Sequence, residues 1–220
     1  MADEKKSIPD LIRESWANDD PTGWFEKLYA RAESGEGVVP WAMMTPNPQV
    51  LEWAKNANLS GGGKRALVVG CGLGDDALGL QAMGFAVTAF DVSATAIKQC
   101  QARFPDSKVD FQVHNLFKTP DEWAERFDFV LESRTIQSLP YQYHEQAITQ
   151  IASYVAKDGQ ALILCHGRDP AQETHGIPWA LSRKELAHFD QSGLTEQSFE
   201  DVGDDNLRRF RVVYKRNKHE

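Results

Sequence analysis

The spacing of apolar residues changes character at residue 65. Before it, Trp24, Phe25, Tyr29, Trp41 and Trp53 stand in a polar background. After it, short apolar runs alternate with stretches whose apolar residues recur every three to four positions. The runs ALVVGCG (66–72), AVTAFD (86–91), VDFQVHN (109–115), FDFVLES (127–133) and GQALILCHG (159–167) predict strands, the first buried on both faces. Between them GDDALGLQAMG (74–84) predicts a helix stopped by Gly84, and SATAIKQCQARFP (93–105) a helix with Ile97, Cys100 and Phe104 on one side. PDEWAER (120–126) predicts a short helix opened by proline. A longer helix is expected over 141–156, where Ile148, Ile151, Ala152 and Val155 fall at i, i+3, i+4 and i+7. Ser182 and Glu185 have capping-box spacing, with Leu181 and Leu186 placed as the staple, so a helix is expected over 183–192, ended by Gly193. LTEQSFEDV (194–202) and RRFRVVYKR (208–216) close the chain as an antiparallel hairpin. Strands alternating with helices predict a doubly wound α/β fold with a mostly parallel, seven-stranded sheet. Ligands in such sheets bind beyond the carboxyl ends of the strands, so function is expected in the loops after the first four.

The length of 220 residues fits one domain. Three successive glycines in LSGGGK (59–64) mark the clearest break, leaving residues 1–58 as an N-terminal lid or cap and 65–220 as the core. With 24 Lys and Arg against 32 Asp and Glu the net charge is −8, which disfavours nucleic acid as a partner. No run of about 18 apolar residues exists to span a membrane, and the charged start MADEKKSIPDLIRE lacks a signal-peptide stretch. Cys71, Cys100 and Cys165 are odd in number and far apart, which suits a reduced, cytoplasmic protein. His144, His166 and His175 are widely separated, so no metal site is expected. A monomer or a homodimer is expected.

The loop GCGLGDD (70–76) places glycines at 70, 72 and 74, where a dinucleotide pattern would have its last glycine at Asp75. A pyrophosphate rests on a helix N-terminus, and Asp75 and Asp76 occupy that terminus. They suit a cofactor with positive charge and no phosphate, such as S-adenosylmethionine; the alternative is that they only complement the helix dipole. Asp91 ends the second strand 19 positions beyond Gly72, the place of an acid that accepts hydrogen bonds from ribose hydroxyls. Its alternative role is an N-cap, which Ser93 could already supply. In the third loop Asn115 could read an adenine edge, with Leu116 or Phe117 packing the ring, or could simply form a turn. In ESRTIQSLP (132–140) Glu132 and Arg134 are positioned to touch cofactor or substrate, or to pair with each other. Glu132, Arg134 and His166 are the candidates for a catalytic role. In CHGRD, His166 could edge the substrate pocket, or the segment could form a salt-bridged loop. Cys71 reads as a small buried filler within the cofactor loop, not a nucleophile.

The stretch 66–167 resembles a class I S-adenosylmethionine-dependent methyltransferase, and ALVVGCGLGDDALGLQAMGFAVTAFDVSATAI is most like the thiopurine, thiol and halide methyltransferase branch. GWFEKLY (23–29) and VVPWAMMTPNP (38–48) stand where that branch carries its Trp–Glu and Pro–Trp segments. The resemblance implies that Trp24 and Trp41 line the cofactor site, where core packing is the other role open to them. It implies that Gly70, Gly72 and Asp91 hold the methionyl and ribose parts. Cys71, Gly74, Asp76, Val92, Asn115, Leu116, Phe117 and Glu132 complete the expected cofactor contacts. Two positions depart from the branch, Ala42 where Asp often follows Pro–Trp and Val69 where Pro often opens the glycine loop. The implied activity is methyl transfer to a small molecule, a thiol, thiopurine or halide, with O- or N-methyl transfer as the alternative. A binding protein that kept the fold is a third reading. A thiolate or halide needs no base at the transfer step, and no compelling base stands out.

Overall fold

The computed structural model describes residues 7–172, 176–203 and 207–217, so the first six residues, His175 and the last three residues lie outside it. Three helices precede the sheet: α1 (Ile8–Ala17), α2 (Gly23–Glu33) and α3 (Pro48–Asn56). The core then runs β1 (Arg65–Val69), α4 (Asp75–Ala82), β2 (Ala86–Asp91), α5 (Ala94–Arg103), β3 (Asp110–Val113) and β4 (Phe127–Ser133). It continues with α6 (His144–Ser153), β5 (Val155–His166), α7 (Arg183–Leu186), α8 (His188–Gln191), β6 (Thr195–Asp201) and β7 (Arg209–Lys215). The seven strands lie in the order β3-β2-β1-β4-β5-β7-β6. The first five are parallel, and β7 joins β5 and β6 antiparallel, as the alternating pattern predicted. The strand order reverses between β1 and β4, which makes the gap above their carboxyl ends the switch point.

Both faces of the sheet are covered, and the period of two in each strand sorts its residues. On β1, Leu67 and Val69 join one core while Ala66 and Val68 join the other. On β5, Ala161, Ile163 and Cys165 face the first, and Leu162 and Leu164 the second. The first core is closed by Ile148 and Ile151 of α6 and by Phe189 of α8, the second by Val50 of α3 and Leu80 of α4. The capping box forms as expected, with the Ser182 side chain accepting from the Glu185 N–H and the Glu185 side chain accepting from the Ser182 N–H.

Three expected helices differ. The one placed at 141–156 is a 3₁₀ turn (Tyr141–Tyr143) followed by α6, which ends at Ser153. Val155, assigned to its apolar stripe, instead opens β5 opposite Phe127, where a β-branched side chain packs between the two strands. The helix placed at 183–192 is split at Ala187 into α7 and α8. Residues 120–126 make only the 3₁₀ turn Asp121–Trp123.

One side chain of α2 fastens the N-terminal segment to the start of α5. Glu26 of α2 accepts hydrogen bonds from the Ser93 hydroxyl (2.6 Å), the Thr95 hydroxyl (2.6 Å) and the Thr95 N–H (3.1 Å) at the start of α5. A carboxylate there also complements the positive end of the α5 dipole. Burial works to raise the Glu26 pKa, but the bonds from Ser93 and Thr95 overcome it and hold the group below the ordinary glutamate value. A lowered carboxyl pKa stabilises the docked state at neutral pH, and that contribution is lost as pH falls through the folded pKa. Tryptophan fluorescence followed from pH 6 to pH 3 should therefore report loosening of α2 below about pH 4. In Glu26→Gln the loosening should already be present at pH 6 and no longer track acidification.

Candidate active site

The turn after β1 carries three glycines in the left-handed region: Gly70 (φ 59°), Gly72 (φ 53°) and Gly74 (φ 85°). A Cβ on Gly70 would collide with the Thr135 hydroxyl, and one on Gly72 would come within 3.0 Å of the Tyr29 hydroxyl. The glycines thus let the backbone pass between the turn after β4 and helix α2. Gly74 is the N-cap of α4, where a Cβ would lie 3.0 Å from the Cys100 sulfur.

Asp91, at the end of β2, is 6 % exposed. Its two oxygens accept from the Gly72 N–H and the Ser93 N–H, each at 2.9 Å. Ser93 itself caps α5, so Asp91 is not the helix cap. Burial raises its pKa against these bonds. The two acids of the glycine loop part company. Asp75 is held by Arg103, whose guanidinium also donates to the Leu73 carbonyl, which makes it a brace for the loop. Asp76 accepts from the Asn47 N–H (2.6 Å), and burial raises its pKa.

These groups line one cavity of about 900 Å³ at the switch point, near the upper end of the usual range for small-molecule sites. Of the expected contacts, Trp24, Trp41, Gly70, Cys71, Gly72, Asp76, Asp91, Val92, Leu116, Arg134 and His166 are on its wall. Gly74, Asn115, Phe117 and Glu132 are not among the wall residues. Asn115 caps the 3₁₀ turn Leu116–Lys118, accepting from the Phe117 N–H at 2.9 Å, which is the turn-forming role. Trp24 is fully buried, edge-on to Trp41, and its indole N–H has no partner. The Trp41 N–H donates to the Tyr29 hydroxyl (3.0 Å).

Glu132 and Arg134 do not form an ion pair. Glu132 turns beneath the loop, where one oxygen accepts from the Thr135 N–H (2.6 Å) and the Ile136 N–H (3.1 Å) and the other has no partner. Arg134 (φ 69°) lines the cavity, and burial lowers its pKa. His166 is also on the wall, its pKa lowered by burial and by the charges of Arg134 and Arg209. The rest of CHGRD is the salt-bridged loop, Arg168 pairing with Glu185 and Asp169 with Arg208.

The sequence pattern did not reveal several wall residues. Trp16 and Trp179 meet at 5.0 Å across the cavity, although 163 positions separate them and nothing local links them. Gln137 is 3 % exposed and ties the wall together, its Oε1 accepting the His166 N–H (2.5 Å) and its carbonyl the Trp179 N–H (2.7 Å). Asn47 was findable, since Asn before Pro48 is an N-cap signal, and it does cap α3.

Residues 66–159 match the family model described as a methyltransferase domain. The probable thiol methyltransferase 2 of Arabidopsis thaliana is 28% identical over 131 residues, 58% of this chain. The match takes in 54% of that relative, so the chain spans about half the length of the curated relative it matches. Among solved structures, one described as the conversion of a disulfide bond into a thioacetal group during echinomycin biosynthesis has a TM-score of 0.71 at 20% identity. It covers 89% of this chain and 94% of the other. The Burkholderia thailandensis 1,6-didemethyltoxoflavin-N1-methyltransferase, with S-adenosylhomocysteine bound, has a TM-score of 0.67 at 16% identity, covering 99% of this chain and 94% of the other. The fold is that of a class I S-adenosylmethionine-dependent methyltransferase. Two features of the cavity fit that methyltransferase cofactor: a buried carboxylate, Asp91, on the wall at the end of β2, and the buried Trp24 indole N–H without a partner.

Burial pushes the Glu132 carboxyl up to about 7. The folded chain then keeps a proton that the unfolded chain loses near pH 4.3. This contribution to stability is complete below that pH and is lost as pH rises towards 7. Urea unfolding between pH 5 and 8 should show stability falling across this window, and Glu132→Gln should flatten that fall.

Proposed function

We propose that this methyltransferase acts on a small-molecule acceptor whose reacting atom is soft and already ionised, a thiol, a thiopurine or a halide. The observation that supports the reading is the division of charge around the cavity. Its wall carboxylates are Asp75 (paired with Arg103) and Asp76 in the first turn of α4 and Asp91 at the end of β2, whereas the ends of β4 and β5 contribute the cation Arg134, the neutral His166 and no carboxylate. The acidic side suits a cofactor that brings a sulfonium and an ammonium group; the cationic side suits an anion. When bound, S-adenosylmethionine supplies a methyl group activated by positive sulfur.

In this reading the residues of the chain bind, orient and exclude water. Asp91 keeps oxygen lone pairs for the ribose hydroxyls beyond those used on Gly72 and Ser93. Gly70 and Gly72 admit the methionyl part, and Leu116 and Val92 pack the base. Trp24 and Trp41, carried by residues 1–58, form a lid over a core of residues 65–220 in one domain. Glu132 shapes the Thr135–Ile136 turn and takes no proton from the acceptor. No helix among the described residues is long and apolar enough to cross a membrane. Three free thiols fit a reduced, cytoplasmic setting. A second reading, oxygen or nitrogen methylation, is favoured by one feature: burial keeps His166 in its neutral, base-competent form.

S-adenosylhomocysteine at about 100 times Kd should add roughly 2.7 kcal/mol and raise Tm by on the order of 5–10 °C, while NAD should not. Asp91→Ala should weaken its binding by about 1.5–3 kcal/mol, the range for hydrogen bonds to a charged group. Unchanged affinity would confine Asp91 to holding the loop. On adding S-adenosylhomocysteine, hydrogen exchange should slow in residues 20–48 and stay constant in the C-terminal hairpin. With a thiol acceptor, turnover should rise with pH to the thiol pKa and level off, in wild type, Glu132→Gln and His166→Ala alike. Loss of turnover in His166→Ala, with cofactor binding intact, would move the assignment to the second reading.

A further inference from the structure

The cavity extends past the glycine loop to a pocket end built by α1, the turn after β4 and residues 176–179. Two of its groups are indoles. Trp16 and Trp179 meet at 5.0 Å with their planes 38° apart, and both face the cavity. The Trp16 indole N–H is inaccessible to water and has no hydrogen-bond partner. Buried donors are almost always satisfied, so an unpaired one on a cavity wall points to a ligand atom as its partner.

Gln137 adds a second donor. Its amide orientation is decided by the His166 N–H, which needs an acceptor and so takes Oε1 at 2.5 Å. The amide nitrogen is therefore the end left over for the cavity. Arg134, three positions before Gln137, is on the wall of the same cavity. The Arg134 guanidinium takes part in no hydrogen bond or ion pair among the described residues; its closest charges are Asp76, Glu132 and Arg209. This end of the cavity thus offers donors, an indole N–H, an amide and a guanidinium, against flat apolar surface.

Resting on the methyltransferase reading above, we propose that Trp16, Trp179 and Gln137 form the acceptor subsite, and that it selects a flat aromatic ring bearing a carboxylate beside the atom to be methylated. The ring lies against the indoles; the carboxylate accepts from Gln137, with Arg134 supplying charge. Gln137 is then the specificity-determining residue, because it reads the oxyanion through a donor whose direction the backbone of His166 fixes.

Titration calorimetry on protein saturated with S-adenosylhomocysteine tests this, with 2-mercaptobenzoate, thiophenol and 2-aminothiophenol as probes. The carboxylate-bearing ring should bind about tenfold or more tightly than either of the others. Gln137→Glu keeps an oxygen for the His166 N–H and replaces the donor by a carboxylate oxygen, so the preference should vanish or reverse with S-adenosylhomocysteine affinity unchanged. Trp16→Leu should weaken 2-mercaptobenzoate and thiophenol together and leave mercaptoacetate unaffected. Equal affinity for the three rings in wild type, or a preference that survives Gln137→Glu, would overturn the subsite. Failure to bind S-adenosylhomocysteine at all would instead overturn the methyltransferase reading itself.

Discussion

Two turns must come within van der Waals contact at the switch point, and the lack of a side chain at Gly70 allows it. The Thr135 hydroxyl occupies the space a Cβ would take and donates to the Val69 carbonyl at 3.1 Å. That bond joins the end of β1 to the turn after β4, and the cavity opens over the joint. The turn after β4 is itself shaped from beneath by Glu132, and the glycine loop is braced from the side by the Arg103–Asp75 pair. A carboxyl group buried under one turn and an ion pair beside the other are tolerable because their oxygens meet backbone N–H groups or a guanidinium; burial still raises the pKa of Glu132, one of whose oxygens has no partner.

The N-terminal segment follows a different logic. It contributes no strand, and its apolar residues divide: Leu11, Trp24 and Leu28 form a small core of their own, while Val50 joins the second core of the sheet. Its polar ties to the core include Glu26 at the start of α5, the Asn47 N–H on Asp76, the Asn47 amide on the Ser133 hydroxyl and Arg211 on the Gln49 carbonyl.

The sheet was legible because its central strands β1 and β5 are short apolar runs buried on both faces and ended by Gly70 and Gly167. Asp91 was legible through its distance from the glycines. The end of α6 was not, since Val155 satisfies a helical stripe and a strand equally well, and only pairing with Phe127 decides. Asn115 was open for a related reason: an amide in a binding loop and an amide capping a turn have the same sequence signature, and the fold shows the cap. Trp16, Trp179 and Gln137 become neighbours only when α1 and residues 176–179 fold over one end of the sheet, a contact with no local code.

Gln137 has a mechanical meaning as well. Its side chain holds the end of β5 and its carbonyl holds Trp179, so three segments of wall are fixed to one residue. Moving any of them outward would break bonds that nothing nearby can replace. That side of the cavity is a rigid frame. What freedom the cavity has is thereby left to its other walls, among them the segment that carries Trp41 and the exposed Met43.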